Sequence, residues 1–383
     1  MANFFGQRTG ECLSEAKVFE DRVTGRTVRQ LTDGAVRSVH SYYDIPPWSR
    51  RHQRIAYTRL EAGADEGEIW IMDVDGGNPR KLAETNSVSA NDGAHAQWTP
   101  EGDRICYQDQ DGDKSYIAWI NPDTGESAKY EGDLRMVSPA GNYNAFHTAV
   151  GRMPDHEVIE KRAECGVYAQ NVDDGSFKML ASVEDCRLIH PRKDEIEGWH
   201  LFIKHSKWSP DGSRMMFVFT NEIRFEHKYV EKPRVKDVYV VNLDGSGLKR
   251  IGEFGNHPLW HPNGKEILTN SPFEGRPGNS LVLMDLETGE QRLATDKIGG
   301  FGHPSFSPDG SRICVDYVLG GEGQGSLNMV DVLTGRVEHL VQLRVTDHSH
   351  VGTHLHPVWR QDGRQIMYAS DATGIAQLCV IDV

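Results

Sequence analysis

The chain lacks the marks of a secreted, membrane-spanning or nucleic-acid-binding protein. Its six cysteines, Cys12, Cys106, Cys165, Cys186, Cys314 and Cys379, form no CxxC pair, and their scatter argues against a disulfide framework and a zinc knuckle. There is no apolar run of the roughly eighteen residues that a membrane helix needs. The opening MANFFGQRTGECLSEAK has no basic-then-apolar order either, so no export signal is expected and a reducing cytoplasm is the expected location. Lys/Arg-rich blocks are missing too. The formal net charge of -14 repels nucleic acid and anionic membranes at long range, so neither is an expected partner. It would equally repel an acidic substrate unless a basic pocket overrides it locally. GxSxG, GxxxxGK[ST] and a dense acidic calcium cluster are also absent, which removes the α/β-hydrolase, P-loop and phytase-like readings.

The composition is that of a folded protein, with 38% hydrophobic and 26% charged residues. At 383 residues the chain is too long for one small core, so it needs several domains or a repeat architecture. Repeats are present. An aromatic followed by Ser/Thr-Pro-Asp-Gly, or a degraded form of it, and then an alternating apolar run recurs at Trp48, Trp98, Val137, Trp208, Trp260, Phe306 and Trp359. Pro presets one dihedral and Gly supplies positive φ, so each copy predicts a hairpin. A second hairpin series turns at Gly25, Gly76, Gly125, Gly175, Gly245, Gly289 and Gly335. Two alternating hairpins per repeat make four strands, and such units at a period of about 40 to 50 residues predict a β-propeller. The expectation is an all-β, seven-bladed propeller of four-stranded antiparallel blades, one domain over residues 1–383. The chain ends on AQLCVIDV without a partner hairpin. The segment Thr27 to Leu31 is therefore expected to close the last blade, which removes a sheet edge.

In this architecture residues just ahead of each inner strand ring one mouth of the central channel, on the face that also carries the long loops 151–166, 184–205 and 221–235. Three residues before the repeat aromatic stand His95, His205, His257, His303 and His356, and THLHPVW adds His354 two places before His356. Residues i and i+2 of a strand share a face. His303, His354 and His356 then converge from neighbouring blades, a set suited to a divalent transition ion with an open position. Alternatively, the histidines are repeat residues bonding backbone groups near the channel. Arg224, Arg234, Arg276 and Lys204 are the top-face cations available to an acidic ligand. Tyr42 and Tyr43 could stack on a sugar or pack between blades. His40 is ambiguous, and Asn91 and Asp92 could bind hydroxyls or make a turn.

The combination FGNHPLW, FGHPSFSPDG and GTHLHPVW, with FEDRVTGRTVRQLT near the start, resembles the oligogalacturonate lyases, seven-bladed enzymes of pectin breakdown. The resemblance implies a manganese ion on His303, His354 and His356, a catalytic base at His257, and an assisting arginine matched here by Arg234 or Arg224. His205, with Lys204, Arg276, Tyr42 and Tyr43, would contact the substrate, a short acidic oligosaccharide. The family's glutamine three residues before the HxH pair is replaced by Val351, which cannot coordinate, so His350, His348 or water would complete the shell. A TolB-type binding propeller without metal is the competing expectation, because its blades use the same turns.

Overall fold

The computed structural model describes residues 14–61, 63–148, 150, 153–222, 232–253, 255–319, 324–344 and 354–383. Among these residues the strands form seven antiparallel sheets, the blades of a β-propeller. Blades 1 to 6 have four strands each. Their inner strands are Arg37–Val39, Gln97–Trp98, Met136–Val137, Phe202–Trp208, Asn256–Trp260 and Pro304–Phe306, and Val358–Trp359 opens blade 7. Inner strands touch between blades 2 and 3, 3 and 4, 5 and 6, and 6 and 7, which gathers them around the axis. No helix among the described residues is long and apolar enough to cross a membrane.

Closure follows the expectation and adds to it. Thr27–Gln30 takes the fourth place of blade 7, with Val28 opposite Ile381. The hairpin at Gly25 then returns Lys17–Glu20 as a fifth, outermost strand, with Lys17 opposite Gln30.

The Ser-Pro-Asp-Gly-Ser-Arg turns satisfy themselves and then tie blades together. Asp309 accepts from the Ser307 hydroxyl at 2.6 Å and from the Ser311 N–H at 3.0 Å, while Gly310 adopts φ 74°, a left-handed value that favours glycine. Next in sequence, the Arg312 guanidinium lies 4.7 Å from the Trp359 ring centroid. The Trp359 indole donates to the Ser305 carbonyl of blade 6 at 3.1 Å. Arg214, Trp260 and the Lys207 carbonyl repeat this arrangement between blades 4 and 5. The core accordingly sits between blades as successive clusters, such as Leu31, Trp48, Tyr57 and Met367 between blades 1 and 7.

Blade 1 departs from the pattern where HSYYDIPP interrupts its inner strand. Val39 pairs with Thr58, and the next ladder contact is the Pro47 carbonyl accepting from the Ala56 N–H. Seven residues of the inner strand, 40–46, thus face one of its neighbour and must leave the sheet. They turn back on themselves, the Ile45 N–H donating to the Tyr42 carbonyl, and carry Tyr42, Tyr43 and Asp44 to the histidine group. The elaborated face carries two short helices among the described residues. Asp155–Glu160 lies in the loop 151–166, and Val183–Ile189 is held by a Ser182/Asp185 capping box.

Candidate metal centre and active site

The repeat histidines share an unusual backbone. His95, His205, His257 and His356 all have positive φ, between 46° and 56°, a left-handed conformation uncommon outside glycine. The inner strands lose register at these points, between Lys204 and Lys207 in blade 4 and between Asn256 and Leu259 in blade 5. A bulge of this kind re-aims a side chain. In blade 6 the left-handed residue is Gly302, at φ 74°, one place ahead of His303.

His303, His354 and His356 each offer a ring nitrogen within 4.8 Å of the others. Their supports are of the kind that metal-binding imidazoles use. The Asp316 carboxylate lies 3.1 Å from His303 Nδ1 and also accepts the backbone N–H of His356, which leaves His303 Nε2 free to coordinate. Burial opposes the charge on Asp316, yet the neighbouring His303 and His354 hold its carboxyl below the usual range. Asp92 Oδ1 stands 3.3 Å from His356 Nδ1, and the Asn91 side chain accepts the backbone N–H of His354 at 3.0 Å. Neither ring nitrogen of His356 makes a hydrogen bond among the described residues, and both are buried. Burial, reinforced by His303 and His354, pushes His356 well below the ordinary histidine range, so it presents the neutral form that a cation needs. Three converging ring nitrogens, an orphaned buried ring among them and carboxylates behind two of the rings fit a divalent transition ion. His350 and His348, candidates for a further ligand, and Val351 lie outside the described residues.

His257, from blade 5, adjoins this group, its ring centroid 4.4 Å from that of His303. Burial lowers its pKa well below normal, and His303, His205, Lys207 and Lys236 add to the effect. Its Nδ1 lies 3.4 Å from the Asn270 amide, which also donates to the Gly302 carbonyl at 2.9 Å. Asn270 thus links the base candidate to the segment that presents His303. His205, from blade 4, is likewise held well below normal by burial and the cations Lys207, Lys204 and Arg135.

Under the histidines lies a floor that the sequence reading did not foresee. Tyr42 meets His356 edge-on at 4.7 Å, and Tyr43 lies 5.4 Å from His303 and 5.8 Å from His257. Tyr43 was expected to be able to stack on a sugar. It is instead 1% exposed, and its hydroxyl accepts from Lys207 at 2.8 Å, because the seven-residue excursion of blade 1 drives it under the imidazoles. Asp44 receives Arg135 at 2.6 Å and Lys207 at 2.7 Å. Arg135, Lys207 and Asp316 carry no distinguishing signal in the sequence, where a lone charge in a strand, as in RICVDYVL, reads as solvent-facing. Asn91 and Asp92, expected to bind hydroxyls or make a turn, hold the last blade's histidines.

The top-face cations are placed variously. Arg234 donates to the Gly255 carbonyl, two residues before His257, at 3.2 Å. Lys204 lies 3.9 Å from Glu222, which Lys236 also meets at 2.6 Å. Arg276 donates to the Asp296 carbonyl at 2.7 Å, on the crossover between blades 5 and 6. Arg224 lies outside the described residues. His40 is buried, and burial pushes it down to about 4.

No protein-family model matches the chain. Its fold is similar to that of an oligogalacturonate lyase in complex with manganese, with a TM-score of 0.70, 17% identity and 98% of each chain covered. The oligogalacturonate lyase of Dickeya dadantii (strain 3937) is 24% identical over 156 residues, 36% of this chain and 40% of that relative. An uncharacterized peptidase, YuxL of Bacillus subtilis (strain 168), is 32% identical over 119 residues, 31% of this chain and 17% of the relative. The chain therefore spans under half the length of each of these two curated relatives. At these identities the structural likeness establishes the propeller fold.

Proposed function

We propose that the chain is a metal-dependent lyase that cleaves short 4-linked uronides, oligogalacturonate foremost, by β-elimination to a 4,5-unsaturated product. The observation that carries this reading is the convergence of His303, His354 and His356 within 4.8 Å, with His257 beside them. Elimination removes the proton on C5, next to the carboxylate, and expels the glycosidic oxygen at C4. The difficulty is the negative charge that builds on the carboxylate as the proton leaves. A divalent ion on the three histidines would supply Lewis-acid stabilisation of that charge, worth several kcal/mol. Manganese is the ion bound in the structurally similar lyase.

His257 takes the C5 proton. Its burial keeps it neutral at working pH, and a positioned general base contributes about 10² to 10⁴ in rate. Arg234, anchored on the strand segment that leads into His257, assists at the carboxylate, with Arg224 as the other candidate. Lys204, His205, Arg276 and Tyr42 supply the remaining substrate contacts. The substrate is a small acidic oligosaccharide met in the cytoplasm.

The test begins with metal analysis of protein purified without a histidine tag, followed by a screen of uronide oligomers for new near-ultraviolet absorbance. One bound ion per chain and absorbance growing with oligogalacturonate are expected. His257→Ala should keep the fold and the metal while losing at least about 100-fold in product formation; near wild-type turnover would reject the base assignment. A chain that takes up no divalent ion would leave only a TolB-type binding propeller.

A further inference from the structure

The charges around the mouth do not balance, and the surplus lies in the floor. Asp92 and Asp316, behind His356 and His303, match the charge of one divalent ion. Beneath them, among the described residues, Arg135 and Lys207 share a single counter-ion, Asp44, at 2.6 and 2.7 Å, so one positive charge of this trio is left over. It is deeply buried: the side chains of Lys207 and Asp44 are 1% exposed and that of Arg135 is 13% exposed. Burying an unbalanced ion is costly, and a well-packed apolar trio would serve stability better. The arrangement nevertheless satisfies it fully on one side, since Lys207 also donates to the Tyr43 hydroxyl and to the Pro258 carbonyl, next to His257.

We propose that Arg135 and Lys207 are specificity-determining residues, a buried cationic floor that selects anionic substrates at the histidine mouth. Both cations reach it across one aromatic layer. The Arg135 guanidinium carbon lies 5.3 Å from the Tyr42 ring centroid, and Lys207 Nζ lies 4.5 Å from that of Tyr43. Those two rings in turn touch His356, His303 and His257. Lys207, Asp44 and Tyr43 are buried along this route, so the field there is less screened than at the surface. The floor resolves the conflict between a net charge of -14 and an acidic substrate: a local positive potential captures the anion that the whole surface repels. The same field helps to keep His257 and His205 neutral, because Lys207 lowers both.

This inference rests on the uronide reading of the mouth, and the experiment separates the two. Binding of digalacturonate and of its neutral dimethyl ester to the manganese-loaded protein is measured by calorimetry for the wild type, Lys207→Met and the double variant Asp44→Asn/Lys207→Met. Lys207→Met removes the surplus charge, leaving Asp44 paired with Arg135; the double variant restores it through Arg135 alone. Lys207→Met is expected to weaken the acid about tenfold while changing the ester less than about twofold, and the double variant to recover most of the loss. A structural role for Lys207 would weaken both ligands alike and show no recovery, which overturns the inference while leaving the lyase reading intact. Wild-type protein that binds neither disaccharide at millimolar concentration overturns both. If Lys207→Met does not fold, Arg135→Met makes the same change of charge and carries the same expectation.

Discussion

Asp316 stands in the apolar run RICVDYVL, 1% exposed, and bonds the His303 ring together with the backbone N–H groups of His303 and His356. One carboxylate thus orients two candidate ligands from two blades. Asp316→Asn places an amide donor where acceptors are needed. It is expected to lower manganese affinity about 10- to 100-fold, read by calorimetric titration, with product formation falling in parallel and the fold retained. A second residue, His147, contributes to acid sensitivity. It contacts the Ser206 hydroxyl at 3.2 Å, and burial, then Arg135 and Lys204, hold it down at about 4. Above its unfolded value both states are neutral and the residue has no effect. As pH falls from about 6.5 toward 4 the unfolded chain takes the proton and the folded one does not, so stability drops by up to about 3 kcal/mol. Denaturant unfolding across that range should show a slope that becomes shallower in His147→Gln, buried His40, also held down at about 4, supplying part of what remains. The histidine cluster itself was legible as HxH and a neighbouring-blade His at fixed distances from an aromatic. Asp316 and Lys207 were not, because a single charge in a strand reads as solvent-facing until the facing side is known.

The inner strand is the element on which the site depends. Its hairpins could be read from Pro-Asp-Gly punctuation, and the turn glycines do adopt left-handed values, such as 69° at Gly212 and 68° at Gly264. The left-handed histidines and the excursion at 40–46 could not be read so easily, since a bulge is set by the partner strand's register. Gly302 shows what that geometry demands. A Cβ there would stand 1.7 Å from the Asp316 carbonyl oxygen and 2.3 Å from its carboxylate, at φ 74°. Gly302→Ala is expected to cost at least about 1–3 kcal/mol, read in denaturant unfolding. It should also abolish stoichiometric manganese uptake, because the strand must shift and take His303 with it. Manganese uptake unchanged from wild type would show that His303 tolerates the shift.

Blade 7 is built from both ends of the described chain, so ring closure couples the N-terminal hairpin to the HxH strand. Val28 is fully buried and packs with Leu340, Trp359 and Ile381. Deleting residues 14–31 would expose the edge of Gln377–Asp382 and empty that pocket. The expected outcome is a loss of several kcal/mol of stability with association of the open edges, measured by thermal unfolding and light scattering. Val28→Ala, a milder change, should cost roughly 1–3 kcal/mol without association. The amino-acid order by itself determined the repeat count, the strand periodicity, the closing segment and which histidines stand at equal height, because all of these are local patterns counted from fixed turns. Only the tertiary structure decided which charges face the channel and which tyrosine is buried. Those outcomes depend on how seven inner strands meet around one axis, where a residue from blade 1 finds partners from blades 3 and 4 that lie far away along the chain.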